Sequence, residues 1–309
     1  MDYTIFSNMY KILFVDDEDH ILSMLFEYFG EKYSVKTAGS AALALEIMRE
    51  EEFDLVVSDI SMPGMSGTKF LREIHKLYPK TKSALLTSLN IDAYITLARQ
   101  NSISSIIPKT VPFNFKGLEL ILDGLLTGDV FGLTRYLIHG ERVVLGWYDV
   151  KSSADLPEVR AKIVSELRVK FGDVGDIGLI LDEIMTNAVY HACAKQESVE
   201  PQKGVRFPEV KLAPSEYVYV QVGYDDEKYG ISVLDTQGKL TRDMVLGKME
   251  RHVTGEGFLD ESGRGLHMSR LFADRMVINI ERGKRTEVIV MNYYGAKYRG
   301  YKPIYINEI

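Results

Sequence analysis

Short apolar runs alternate with amphipathic segments over the first 125 residues. YKILFVDD, FDLVVSDI, KSALLTS and SISSIIPK have the length and β-branched content of strands buried on both faces, and YSVKTA is a weaker fifth. Between them, Ile21, Leu22, Leu25, Phe26 and Phe29 share one helical stripe, closed by Gly30. Phe70, Leu71, Ile74 and Leu77 share another, stopped by Pro79. This alternation predicts an α/β fold over residues 1–125: a doubly wound, five-stranded parallel sheet with helices on both faces. In such sheets, ligands gather outside the carboxyl ends of the strands.

The pattern then changes. A connecting region, 126–154, carries glycine-containing turns and the apolar run RVVLGWYDV. Two helical segments follow, near 156–171 and 176–195, and a loop over 196–215 contains Pro201, Pro208 and Pro214. EYVYVQVGY and YGISVLD read as antiparallel strands joined through DDEK. A glycine-rich stretch and a helix near 265–273 precede two last strands, RMVINIE and TEVIVMN, joined by RGKR. Grouped strands with segregated helices predict an α+β sandwich for residues 155–309.

Composition narrows the classes. One cysteine, Cys193, excludes an intrachain disulfide and suits a reducing compartment. Residues 1–8 carry no Lys or Arg and no long apolar run, so no secretory leader is expected there. No apolar stretch approaches a membrane span, which points to the cytoplasm. Through residue 128 there are 12 basic and 17 acidic side chains, an excess that argues against direct nucleic-acid binding. No helix-turn-helix is evident, and the basic Arg282–Tyr305 segment reads as a strand end with a solvated face.

Asp16 and Asp17 follow KILFV, and Asp59 follows LVVS. Carboxylates at the ends of neighbouring parallel strands converge, and their repulsion calls for a cation such as Mg²⁺. Thr87 and Lys109 end two further strands and reach the same rim. VDDE, SDISMPGMSG, Thr87 and Lys109 together resemble the receiver domain of bacterial response regulators, over roughly residues 9–125. The resemblance implies that Asp59 is the nucleophile taking a phosphoryl group from a histidine kinase. It implies Mg²⁺ on Asp16, Asp17, Asp59 and the Ser61 carbonyl, with Lys109 pairing with the phosphoryl oxygens and Thr87 donating to the acyl phosphate. Where the family has an aromatic residue this chain has Ile106, and where it has proline after the lysine this chain has Thr110. An altered signal output is the expectation.

In LDEIMTNAVYHA, Glu183, Asn187 and His191 fall at intervals of four on one polar stripe, beside the apolar stripe Ile177, Ile180, Ile184 and Ala188. Asp235 ends a strand in VLDTQG, where a buried carboxylate can accept from a purine amino group. Gly263 and Gly265 of ESGRGL open a helix, an arrangement suited to phosphate. Gly283 and Thr286 lie in the last strand connection. In this order the motifs resemble the GHKL (Bergerat) ATPases across about residues 150–292, and GRGLHMSRLFADR looks most like the bacterial anti-sigma-factor serine kinases. The resemblance implies an ATP–Mg²⁺ pocket with Glu183 as base, Asn187 on the metal, and Asp235 on adenine. It implies a mobile lid from about Lys248 to Gly263. The family's Asp-x-Gly-x-Gly turn is here Asp235-Thr236-Gln237-Gly238-Lys239, with a single glycine, Gly238.

Two functions compete on this reading. In one, phosphorylation of Asp59 controls a serine/threonine kinase acting on an anti-sigma antagonist. In the other, the C-terminal domain sequesters a partner such as a sigma factor without catalysis. Control through a homodimer is compatible with either.

Overall fold

The computed structural model describes residues 9–88, 105–110, 113–193, 209–253, 264–294, 302 and 304–309, with the side chains of 106, 191–193, 251–253 and 264 excluded. The chain divides into two compact units, Met1–Asp129 and Val130–Ile309.

Among the described residues, the first unit is built from β1 (Lys11–Val15), α1 (Asp19–Phe29), β2 (Ser34–Ala38), α2 (Ala41–Glu50), β3 (Leu55–Asp59), α3 (Gly67–Leu77), β4 (Lys82–Thr87), β5 (Ile106–Pro108) and α4 (Phe115–Thr127). The strands form one parallel sheet in the order β2-β1-β3-β4-β5. Burial explains why KILFV and LVVSD are strands: Ile12 to Val15 and all of β3 are buried, as parallel strands between helical layers must be. The edge strand β2 is the half-exposed SVKTA. In α1 the buried stripe is Ile21, Leu22, Leu25 and Phe29, while Phe26 is exposed. In α3 Phe70, Leu71 and Ile74 are buried, and Leu77, the last helical residue, is exposed. Ser40 caps α2, its hydroxyl accepting from the Leu43 N–H; Asn114 caps α4 by accepting from the Gly117 N–H.

The second unit contains β6 (Val143–Val150), α5 (Leu156–Phe171), α6 (Ile177–Thr186), β7 (Val218–Tyr224), β8 (Lys228–Asp235), α7 (Arg242–Val253), α8 (Arg264–Phe272), β9 (Arg275–Glu281), β10 (Arg285–Tyr293) and β11 (Ile304–Glu308). A π-helical stretch, Asn187–Cys193, continues α6. Six strands form a mixed sheet in the order β11-β9-β10-β8-β7-β6, antiparallel except for the β11–β9 pair. Two of these strands come from stretches that sequence periodicity did not rank as sheet. RVVLGWYDV supplies the edge strand β6, and Ile304–Glu308 adds to the other edge.

The stretch 126–154 is structured throughout its described length. Leu126 and Thr127 finish α4, and a single 3₁₀ turn, Leu133–Arg135, precedes β6. Leu133 is fully buried against Gly230, where a Cβ would lie 2.7 Å from Leu133 Cδ1. Polar ties hold the same segment. Glu287, buried in β10, accepts from the Gly132 N–H at 2.9 Å, from Asn279 Nδ2 at 3.0 Å and from Ser232 Oγ at 2.6 Å. Asn279 Nδ2 and Tyr136 Oη both donate to the Val130 carbonyl, at 2.7 and 2.6 Å. A buried carboxylate survives in a sheet core because each of these donors would otherwise be left unsatisfied.

Candidate functional site

The parallel topology places β1, β3, β4 and β5 side by side, so their carboxyl ends share one edge. There Lys109, just past β5, reaches across the sheet. Its Nζ lies 2.8 Å from Asp16 Oδ2, 2.6 Å from Asp59 Oδ1 and 3.4 Å from Glu18 Oε1. Asp16 and Asp59 are almost wholly buried, and Lys109 is nearly so. Asp59 Oδ2 also accepts from the Ser61 N–H at 2.5 Å, and Asp16 Oδ1 from the Glu18 N–H at 3.1 Å. The Lys109 N–H donates to the Thr87 carbonyl at 2.6 Å, which fixes the end of β5 beside the buried Thr87.

Burial pushes the Asp16 pKa up, even with the Lys109 ammonium beside it. Burial works against the charge on Lys109 too, but its pairs with Asp16 and Asp59 outweigh that and raise its pKa. Two buried carboxylates thus share one ammonium, and Asp16 Oδ2 has an ion-pair partner but no well-angled hydrogen bond. Such a donor set fits a second cation of hard, oxygen-seeking character. Asp17 stays exposed at the rim, as does Ser61. Among the described residues no three His, Cys, Asp or Glu side chains are gathered at ligating geometry. Asp16 and Asp59 come together; Asp17 does not join them.

In the second unit, α6 places Glu183 and Asn187 one turn apart, and Asn187 Nδ2 donates to Glu183 Oε1 at 2.8 Å. The carboxyl group lies against the first turn of α8. A Cβ on Gly265 would fall 1.4 Å from Glu183 Cδ, so only glycine permits this seat. The change to π-helical geometry starts at Asn187, a feature that often marks functional sites in helices. The His191 side chain and Gly263 lie outside the described residues, as does the 254–263 part of the expected lid. Its beginning, Lys248–Val253, is the second half of α7.

Asp235 ends β8 opposite Thr286 on β10. Its Oδ1 accepts from the N–H groups of Gln237 and Gly238, at 2.9 and 3.0 Å. Gly238 has a positive φ of 59°, and a Cβ there would collide with the β9–β10 turn, 2.3 Å from the Glu281 carbonyl oxygen. The Gly283 N–H closes this packing by donating to the Gly238 carbonyl. A single glycine therefore suffices to build the turn. Gln237 reaches toward the Ser215 carbonyl, with Nε2 at 3.4 Å. Burial raises the Asp235 pKa, opposed by the Gln237 and Gly238 N–H groups and by Thr286.

Asn187, Asp235, Thr286, Lys239 and Lys248 line one pocket with the apolar side chains of Ile184, Val233, Leu266 and Val288. Its cavity is about 100 Å³, small for a ligand site, and it opens to solvent. Thr286 is buried, with its hydroxyl beside the Asp235 carboxylate. A buried hydroxyl beside a buried carboxylate, on an apolar wall, fits an amino-bearing aromatic ring.

A family model for the response regulator receiver domain matches residues 12–119, and one for the histidine kinase-like ATPase domain matches residues 151–292. Among curated proteins, the sensor kinase CckA of Brucella abortus (strain 2308) is 34% identical over 118 residues, 37% of this chain and 12% of that protein. The transcriptional regulatory protein GlrR of Escherichia coli (strain K12) is 35% identical over 101 residues, 32% of this chain and 23% of that protein. The matches thus span less than a quarter of either relative. Among solved structures, the signal receiver domain of an HD domain-containing protein from Pseudomonas fluorescens Pf-5 is 29% identical, covering 41% of this chain and 94% of that one, with a TM-score of 0.37. No helix among the described residues is long and apolar enough to cross a membrane. The chain is thus a response regulator receiver domain followed by a histidine kinase-like ATPase domain.

Proposed function

We propose that this chain is a two-component response regulator, phosphorylated on Asp59, whose C-terminal domain binds ATP and acts as an anti-sigma-factor-like serine/threonine kinase. The observation that carries the first half is the pairing of Asp16 and Asp59 around Lys109 at one sheet edge. An Asp59 carboxylate oxygen attacks the phosphorus of a phosphohistidine on the upstream kinase. The P–N bond breaks, the imidazole leaves, and an aspartyl phosphate forms. Lys109 turns its ammonium from the carboxylates to the phosphoryl oxygens and offsets their charge. Asp16 and Asp59 are the residues that would hold Mg²⁺, with the Ser61 carbonyl, and Asp17 would have to turn inward from the rim to join them; the metal would supply charge neutralisation on the transferred group.

In the second unit, Asp235 and Thr286 receive the adenine ring and Asn187 offers its free amide oxygen to Mg²⁺. Glu183, oriented by Asn187 Nδ2, takes the proton of a serine or threonine hydroxyl as its oxygen bonds to the γ-phosphorus of ATP, the bond to the β–γ bridging oxygen breaks and ADP leaves. The substrate of this reading is an anti-sigma antagonist. The segment 126–154 couples the two halves, since α4 runs through Gly128 and Asp129 into the Val130–Leu137 stretch pinned to the ATPase sheet.

Titration with ATP and Mg²⁺ tests the pocket: Asn187→Ala and Asp235→Asn weaken binding relative to the unmodified chain. Transfer of labelled phosphate from ATP separates kinase from sequestration. Glu183→Ala abolishes transfer if the domain is a kinase, whereas retained partner binding without any transfer in either protein favours sequestration.

A further inference from the structure

The pocket of the second unit is asymmetric. Asp235 and Thr286 are buried and present one carboxylate and one hydroxyl to it, whereas Lys239 is exposed and Lys248 half-buried. Besides Asn187, its other polar side chains are cationic: Lys239, in the loop after the Asp235 turn, and Lys248, on α7. Helix α7 is anchored by fully buried Val245 and Met249, which fixes the direction in which Lys248 leaves it. Met244, one turn earlier, borders the pocket from the same helix face. Among the described residues neither lysine has an ion-pair partner. Two ammonium groups on one apolar pocket repel each other, and an anion between them removes that cost. A buried hydrogen-bonding pair and two more exposed ammonium groups together describe a ligand with a polar ring and an anionic tail.

We propose that Lys239 and Lys248 form the anion-binding pair of this pocket, holding the diphosphate or triphosphate chain of the nucleotide whose ring Asp235 and Thr286 receive. The assignment rests on the nucleotide reading of the pocket. It places phosphate recognition partly on α7, upstream of the glycine-rich segment that opens α8, and makes Lys239 a group that discriminates the charged tail. Lysine suits this role as a compact point charge on a flexible stem.

The test is calorimetric titration of the full chain, at constant Mg²⁺, with adenosine, ADP and ATP. Lys239→Met and Lys248→Met keep the apolar stems and remove the charge. Each weakens ADP and ATP by roughly 10-fold or more while leaving adenosine nearly unchanged, and Lys248→Arg retains ATP affinity. Unchanged adenosine affinity also reports an intact fold. Equal losses for adenosine and ATP, or undiminished ATP affinity in both Met variants, overturn the lysine assignment and leave the nucleotide reading standing. If the unmodified chain binds neither adenosine nor ATP, the nucleotide reading fails and the lysine assignment with it.

Discussion

Replacing Gly265 by alanine puts a methyl group into the Glu183 carboxyl. The added carbon would lie 1.4 Å from Cδ, so the two groups must separate by about 2 Å to regain ordinary contact. That shift breaks the 2.8 Å hydrogen bond from Asn187, a charge-assisted bond of about 1.5–3 kcal/mol before discounting for the partial exposure of Glu183. The atoms it meets are the far end of a flexible side chain, so Glu183 moves off at little further cost. The helix preference of alanine over glycine returns up to about 1 kcal/mol. Gly265→Ala should therefore destabilise the second unit by about 1 kcal/mol. Gly178, in the first turn of α6, is the control, because a Cβ there meets only Val164 Cγ2, at an ordinary 3.8 Å. Gly178→Ala should be neutral or stabilising by up to about 1 kcal/mol. Urea unfolding of the two variants measures the difference. If Gly265→Ala is as stable as Gly178→Ala, Glu183 does not rest on α8. If the domain is a kinase, a misplacement of this size lowers its transfer rate by about 100-fold or more.

Other perturbations test separate parts of the account. Glu287→Ala leaves Gly132 N–H and Ser232 Oγ without their acceptor and Asn279 Nδ2 with only the Val130 carbonyl, and should cost about 3 kcal/mol in denaturant unfolding; an unchanged midpoint refutes the buried network. Asp225→Ala leaves the ammonium of the fully buried Lys228 uncompensated and should cost about 3–5 kcal/mol, a loss that thermal unfolding will show. Asp235 has a folded-state pKa above its unfolded one, so the folded state holds the proton more tightly. Its ionised form costs stability at neutral pH, and that cost is relieved as pH falls through the raised value. Asp235→Asn should remove this acid-side gain, and melting curves at neutral and mildly acidic pH that shift identically in both proteins would contradict it. Lys109→Met leaves Asp16 and Asp59 facing each other, so Mg²⁺ should raise the melting temperature of the variant more than that of the unmodified chain; equal shifts would count against a cation site between them.

Much of the first unit is legible because its signals are local. Runs such as LVVSD are apolar enough to be buried on both faces, and Asp16, Asp59 and Lys109 fall at strand ends that a parallel sheet must align. What periodicity cannot resolve is the edge of a helical stripe: Phe26 and Leu77 fit the α1 and α3 patterns, yet both are exposed. Nor does strand-end position fix side-chain direction, which is why Asp17 sits outside the pair formed by its neighbour. The second unit depends on distant pairing. Strand β11 forms only by lying parallel to β9, and the Val130–Leu137 segment is defined by Glu287 and Asn279, far along the chain. Glu183 and Asn187 were visible as one helical stripe, whereas the seat of Glu183 on Gly265 joins two helices that no local pattern links. The single-glycine turn after Asp235 illustrates the same limit, because the Asp235 carboxylate and the β9–β10 turn jointly shape it.

The central claim is that Asp59 accepts the phosphoryl group that controls this protein. Incubating the full chain with a small-molecule phosphodonor and Mg²⁺, then locating the modification by mass spectrometry after hydride trapping of the aspartyl phosphate, measures it directly. One modified residue, Asp59, is predicted, with the signal absent in Asp59→Asn. Modification at another carboxylate in the unmodified chain, or undiminished phosphorylation of Asp59→Asn, would contradict the account.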